Sequence, residues 1–256
     1  LKPDLPLIAI GGTLCDARIW SPVLEDRATI AIVAGKTVDG HMSGSGDMSA
    51  YVADLLQQLP PRFLLVGFSL GGLVALEMIA QAPDRIAGLA LICAGFGAET
   101  EKGVIARRND EMRAETAGIA LHAEQDVWPR FCAKNVTQKT DYTEMAQAVG
   151  LDLYRRQNDL AISRKDSVDR LSRIDVPVLL VTGAEDRLCP PDRHEIAQQK
   201  IADVSVVVIE DAGHMIPFDK PGELSRHIYE WVTKIEDVTA PRVKNVKHSI
   251  TAQTTT

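Results

Sequence analysis

The chain has 256 residues, a length that one large α/β domain, or one domain with an insertion, fills with a core that needs no disulfide or metal staple. Its 28 basic and 35 acidic residues leave a formal charge of −7, without the cationic excess that phosphate-backbone binding requires, so no nucleic-acid partner is expected. With 45% hydrophobic and 25% charged residues, and no run near the roughly 20 apolar residues of a membrane span, the composition is that of a soluble globular chain with no membrane partner.

Residues 1–6 hold no apolar stretch of the kind that marks secretion, so a cytoplasmic location is expected, although without an initiator Met an upstream segment could have been removed. Short apolar runs then alternate with helical patterns, the sign of a parallel sheet built from βαβ units. The runs at residues 6–11 (PLIAIG), 28–34 (ATIAIVA), 63–68 (FLLVGF), 86–93 (IAGLALIC), 177–182 (PVLLVT) and 204–209 (VSVVVI) are continuous rather than alternating. Such runs predict buried strands covered by helices on both faces. Residues 48–59 place Tyr51, Val52, Leu55, Leu56 and Leu59 at helical spacing behind an Asp47 cap, and Pro60-Pro61 stops the helix. Residues 70–82 and 222–235 also read as amphipathic helices, the second with Leu224, Ile228, Trp231, Val232 and Ile235 on one side.

Residues 97–174 break this rhythm. They are charged, helical in propensity and interrupted by Gly103, Gly118, Pro129 and Gly150, and their apolar content is thin for an independent core. A helical lid on the sheet domain is expected, which divides the chain into a core (1–96 and 175–236), a lid (97–174) and a tail (237–256) without periodicity. Cys15, Cys93, Cys132 and Cys189 are scattered, with no C-x-x-C and no histidine at zinc-ligand spacing, so free thiols and no metal are expected.

The run 63–68 leads into Gly67-Phe68-Ser69-Leu70-Gly71, and the helix starts at Leu70. A G-x-S-x-G string arises by chance in about one chain in ten of this length; the strand-to-helix position carries the weight. A nucleophile on so sharp a turn needs small neighbours two residues either side, and Gly67 and Gly71 supply them. A serine hydroxyl also needs a base, itself oriented by a carboxylate. Asp186 follows the run 177–182 and His214 follows 204–209. The C-terminal ends of parallel strands share one rim, so Ser69, Asp186 and His214 are expected to converge there.

In these motifs and their order the chain resembles the α/β-hydrolase superfamily from Pro6 to Ile235. The resemblance implies a mostly parallel sheet flanked by helices, Ser69 as nucleophile, His214 as general base and then acid, and Asp186 as orienter. It also implies an eight-stranded sheet whose two antiparallel N-terminal strands have no room before residue 6. Relatives often carry His-Gly after the first strand present here; this chain has Gly11-Gly12. On that alignment the amides of Thr13 and Leu70 form the oxyanion hole, where losing one donor costs about 3 to 4 kcal/mol. The stretch LCDARIW, and residues 157–177 with Arg164 and Asp166, are similar to small bacterial esterase-like members. Leu14, Trp128, Phe131 and Met215 are the candidate pocket residues.

Competing assignments are weaker. Glu185 beside Asp186 reads as a solvated neighbour, Asp211 is too near His214 in sequence to reach its far ring nitrogen, Cys15 reads as buried filler and His41 as a surface-loop residue. His122, His194, His227 and His248 read as solvated, and Arg107-Arg108 and Arg155-Arg156 as exposed helix faces. The expected activity is cofactor-free cleavage of a small carboxylic ester through an acyl-enzyme. Alternatives are cleavage of a carbon-carbon bond, lactone or thioester by the same triad, an esterase for methyl esters of carrier-bound acyl chains docked by those arginines, or a non-catalytic ligand receptor.

Overall fold

The computed structural model describes residues 5–24, 29–44, 46–132 and 138–239. Strands β1 (Leu7–Ile10), β2 (Thr29–Ile32), β3 (Phe63–Phe68), β4 (Ile86–Ile92), β5 (Val178–Gly183) and β6 (Val204–Ile209) form one sheet in the order β2-β1-β3-β4-β5-β6. Every adjacent pair is parallel. All six apolar runs are therefore strands, with ends shifted by a residue or two; Ala28 lies outside the described residues.

Expectation and structure part at the sheet edges. β1, β3, β4 and β5 are buried throughout, but β2 and β6 are only partly covered, and Val208 is 42% exposed. A continuous apolar run signals a hydrophobic strand but not its place in the sheet, and an edge strand lacks a neighbour on one side.

Side chains of the sheet alternate between two cores. Leu7, Ala9, Leu64 and Val66 share one cluster with Trp231 and Ile228, while Ile8, Ile10 and Leu65 face the other with Tyr51, Leu55 and Val74. The first face is covered by the short helices α1 (Ser21–Leu24) and α9 (Ile216–Asp219) and by α10 (Pro221–Thr239). The second is covered by α2 (Met48–Gln57), α3 (Leu70–Gln81) and α8 (Glu195–Lys200). The Asp47 carboxylate caps α2 through the Ala50 amide at 3.0 Å. At its other end the Arg85 guanidinium donates to the Leu56 and Leu59 carbonyls at 2.8 Å each, so α2 stops at Gln57, two residues before the expected end. The backbone of α10 continues to Thr239, past the start of the expected tail, and 240–256 lie outside the described residues.

Between β4 and β5 the chain forms α4 (Glu101–Ala117), α5 (Ile119–His122), a π-helical stretch (Ala123–Val127), α6 (Trp128–Phe131) and α7 (Lys139–Ser163), which breaks at Gly150 with φ 72°. The described residues of this segment form no separate core: Tyr142, Met145 and Val149 join one sheet cluster, and Leu160 and Ala161 the other. No helix among the described residues is long and apolar enough to cross a membrane.

Candidate active site

The chain leaves β1 toward β2 on one side and returns to β3 on the other, which opens a crevice at the C-terminal ends of β1 and β3. Ser69 stands there, at the end of β3 and the start of α3, with φ 52° and ψ −114°. This backbone region is costly for a residue with a Cβ and persists only where the surroundings enforce it. They do so here by close contact: a Cβ on Gly67 would overlap the Gly71 carbonyl, and one on Gly71 would overlap the Ile10 carbonyl. Only glycine at both positions lets the turn pack between β1 and α3, as the spacing requires.

The Ser69 hydroxyl lies 2.8 Å from His214 Nε2, and His214 Nδ1 lies 2.9 Å from Asp186 Oδ2. The other Asp186 oxygen accepts the Leu188 and Cys189 amides, both at 2.8 Å. Burial raises the Asp186 pKa, but the His214 hydrogen bond and these amides outweigh it and hold the group below the usual carboxylate range. An ionised Asp186 takes the proton on Nδ1, so Nε2 carries a lone pair and accepts from the Ser69 hydroxyl. The loops after β5 and β6 meet because Gly183 has no side chain; a Cβ there would overlap the Ala212 and Gly213 carbonyls.

Neither the Thr13 nor the Leu70 amide has a hydrogen-bond partner among the described residues, and Leu70 opens α3, where the helix dipole favours negative charge. The neighbouring Leu14, at φ 60°, donates its amide to Gln157 Oε1 at 2.9 Å, and Gln157 Nε2 donates to the Ala34 carbonyl at 3.1 Å. Gln157 is fully buried and was not singled out in the sequence. Its signal was a polar residue in the apolar register of α7, between Tyr154 and Ala161.

A cavity of about 400 Å³ opens on Ser69. Leu14, Phe131 and Met215 line it, as expected of pocket residues, together with Phe68, Val127 and Tyr142. Trp128 does not: it packs against Tyr142 and Phe218 at 5.7 and 6.2 Å, so its place is the core beneath the inserted helices. The Phe131 carbonyl accepts the His214 amide at 2.9 Å, and the two rings stand 5.6 Å apart.

Of the competing residues, Glu185 is exposed, Asp211 points outward toward Lys220 at 3.7 Å, and His41 is exposed beside Asp39. Cys15 is buried, with its thiol pushed up to about 12 by burial. Two histidines read as solvated are buried instead. His122 bonds Asp126 at 2.9 Å and the Tyr154 hydroxyl at 3.4 Å, and His194 packs against Phe96. His227 is half-buried, and His248 lies outside the described residues. The arginine pairs are not bare helix faces either: Arg107 pairs with Glu99, Arg108 with Glu111 and Asp159, and Arg155 with Glu115, while Arg156 is half-buried.

Cys93, read in the sequence only as a free thiol, directly follows β4 at φ 50° with its sulfur within 4.8 Å of Asp186 and His214. Such a trio has the residue types of a metal site. Here Asp186 and His214 already bond each other, and burial pushes the Cys93 thiol well up, away from the thiolate a metal would need.

A parallel sheet with a strained serine turn, a histidine and an acid on its C-terminal rim defines a class of protein. The chain belongs to the alpha/beta hydrolase family, whose sequence model matches residues 17–227. It is 30% identical over 196 residues to a pimeloyl-[acyl-carrier protein] methyl ester esterase of Neisseria meningitidis serogroup B, covering 72% of this chain and 73% of that protein. An Aliivibrio salmonicida protein of the same name is 24% identical over 257 residues, covering 92% of each. Among solved structures, a thermophilic esterase from Thermogutta terrifontis superposes with a TM-score of 0.74 at 26% identity, covering 90% of each chain.

Proposed function

We propose that this protein is a serine carboxylic ester hydrolase that works through an acyl-enzyme on Ser69. The observation that carries the reading is the continuous hydrogen-bond line from the Ser69 hydroxyl through His214 to Asp186, at 2.8 and 2.9 Å, beside two amides without partners among the described residues. Its membership of the alpha/beta hydrolase family and its esterase relatives support the same chemistry.

Ser69 Oγ attacks the ester carbonyl while its proton passes to His214 Nε2. The carbonyl oxygen becomes negative within reach of the Thr13 and Leu70 amides, and the resulting imidazolium is stabilised by Asp186. His214 then protonates the departing alcohol, leaving an acyl-serine. Water gives its proton to the same nitrogen as it attacks, and the acid leaves as Ser69 regains its hydrogen. The helices within residues 97–174 act as the lid, since Val127, Phe131 and Tyr142 wall the cavity.

A methyl ester of a carrier-bound acyl chain is the second reading, favoured by the activity named for the Neisseria relative. Docking of an acidic carrier through Arg107, Arg108 and Arg155 is less favoured, because all three already hold carboxylates.

The test is labelling with a fluorophosphonate probe and turnover of a p-nitrophenyl short-chain ester. Wild-type protein should do both, and Ser69→Ala neither, with an unchanged circular dichroism spectrum. Undiminished labelling of the variant would end the assignment.

A further inference from the structure

The cavity wall mixes apolar and ionic side chains. Four guanidinium groups, from Arg107, Arg130, Arg164 and Arg193, share its wall with two carboxylates, from Glu99 and Asp110, in a protein whose overall charge is −7. Arg107 and Arg164 both hold Glu99 Oε2, at 2.7 and 2.8 Å, and Arg130 holds Asp110 at 3.1 Å. Arg193 stands apart: it is an exposed residue of the cavity wall, near Gly95, and its guanidinium makes no hydrogen bond or ion pair among the described residues.

A second group points the same way. Asn158 is 1% exposed, lines the cavity, and receives Arg107 Nη1 on Oδ1 at 3.2 Å. That bond fixes which end of the amide is which, so Nδ2 is the free end, and it has no hydrogen-bond partner among the described residues. The Tyr154 hydroxyl is close enough to feel the Asn158 side chain, but without the geometry of a hydrogen bond. A buried donor left unpaired is costly, and a ligand acceptor would recover that cost. Arg193, Arg164 and Arg107 line the same cavity as Asn158, together with Cys189.

We propose that Arg193 and Asn158 form a subsite for a carboxylate on the substrate, so that the preferred substrates are half-esters of dicarboxylic acids, cleaved at the neutral end. A planar carboxylate matches both the fork of an arginine and the N–H of an amide, and it neutralises the surplus charge of the wall. The paired arginines set the field and the orientation of Asn158, while the unpaired groups make the contact. The inference rests on the ester hydrolase reading and specifies its substrate.

The experiment compares monomethyl adipate with methyl hexanoate, which has the same chain length and no second carboxylate. In wild-type protein kcat/KM should favour the half-ester by about tenfold or more, through KM, and rising salt should shrink the ratio. Arg193→Gln and Asn158→Asp should bring the ratio to about one or below, and Arg193→Lys should restore part of it. A wild-type ratio near one, or a ratio that survives both substitutions, overturns the subsite while fluorophosphonate labelling leaves the hydrolase reading standing. A stronger preference for a phosphate-bearing ester overturns the carboxylate assignment. No hydrolysis together with no labelling overturns both readings.

Discussion

The carbonyl of Phe131, in the helices inserted between β4 and β5, accepts the backbone amide of His214 at 2.9 Å. The same carbonyl takes the Met215 amide at 3.2 Å, so the loop after β6 is tied to the insertion by two backbone bonds. The histidine is thus held from below by the sheet and from above by the segment that walls the cavity. Movement of α6 would move the base.

Phe131→Ala keeps the carbonyl but removes the ring that stands beside His214. The ring is only partly buried, so stability should fall by no more than about 1–2 kcal/mol. The kcat for a p-nitrophenyl ester should fall about tenfold. A large drop in Tm with unaltered kinetics of the folded fraction would show the ring to be a packing element only.

Gln157 bridges the Leu14 amide and the Ala34 carbonyl, and so braces the turn that presents the Thr13 amide. Gln157→Leu should lower kcat by about tenfold or more with little change in KM, because the loss is felt in the charged intermediate. Gln157→Glu keeps an acceptor for Leu14 and should lie between. Stopped-flow acylation rates would show whether the defect precedes deacylation.

Glu99 supplies an acid-side stability term. Burial raises its pKa, but the Arg164 and Arg107 hydrogen bonds overcome that and bring it to about 2, below its ordinary 4.5. A depressed carboxylate pKa stabilises the fold above pH 4.5, and this stabilisation is lost as pH falls from 4.5 towards 2. Glu99→Gln should therefore destabilise the neutral protein and flatten the fall in Tm over that window. An unchanged slope between wild type and variant would remove the ion cluster from the account.

Arg85 ties the end of α2 to the turn before β3. Besides Leu56 and Leu59, it donates to the Pro60 carbonyl at 2.6 Å and to Pro61 at 3.3 Å, and it lies over the Phe63 ring at 5.7 Å. Arg85→Ala should cost about 2–3 kcal/mol, seen as a lower urea midpoint with an unchanged m-value. Because the residue is remote from the cavity, kcat of the folded enzyme should hold. Arg85→Lys should recover little, since one ammonium cannot reach all four carbonyls.

Much of the fold was legible because strand runs and helical stripes depend only on local spacing. Residues 63–68 followed by G-x-S-x-G predict a strand, a tight turn and a helix, and β3, Ser69 and α3 stand there. Asp186 and His214 were readable for the same reason, since the ends of parallel neighbouring strands share a rim whatever the separation in sequence. The edge positions of β2 and β6, the burial of His122 and His194 and the inward packing of Trp128 were not, because none has a local signature.

The sequence by itself determined the strands, the order of serine, acid and histidine, and the glycines that a strained turn demands, each set by backbone geometry over a few residues. Only the tertiary structure decided which polar groups are buried and which of them find partners. Leu14 and Gln157 are 143 residues apart, and Arg107 and Asn158 are 51 apart, so their pairing depends on how α4 and α7 settle on the sheet. The amide end that Asn158 leaves without a partner among the described residues is likewise a property of the packed molecule, since a donor is unsatisfied only once the chain around it has excluded water.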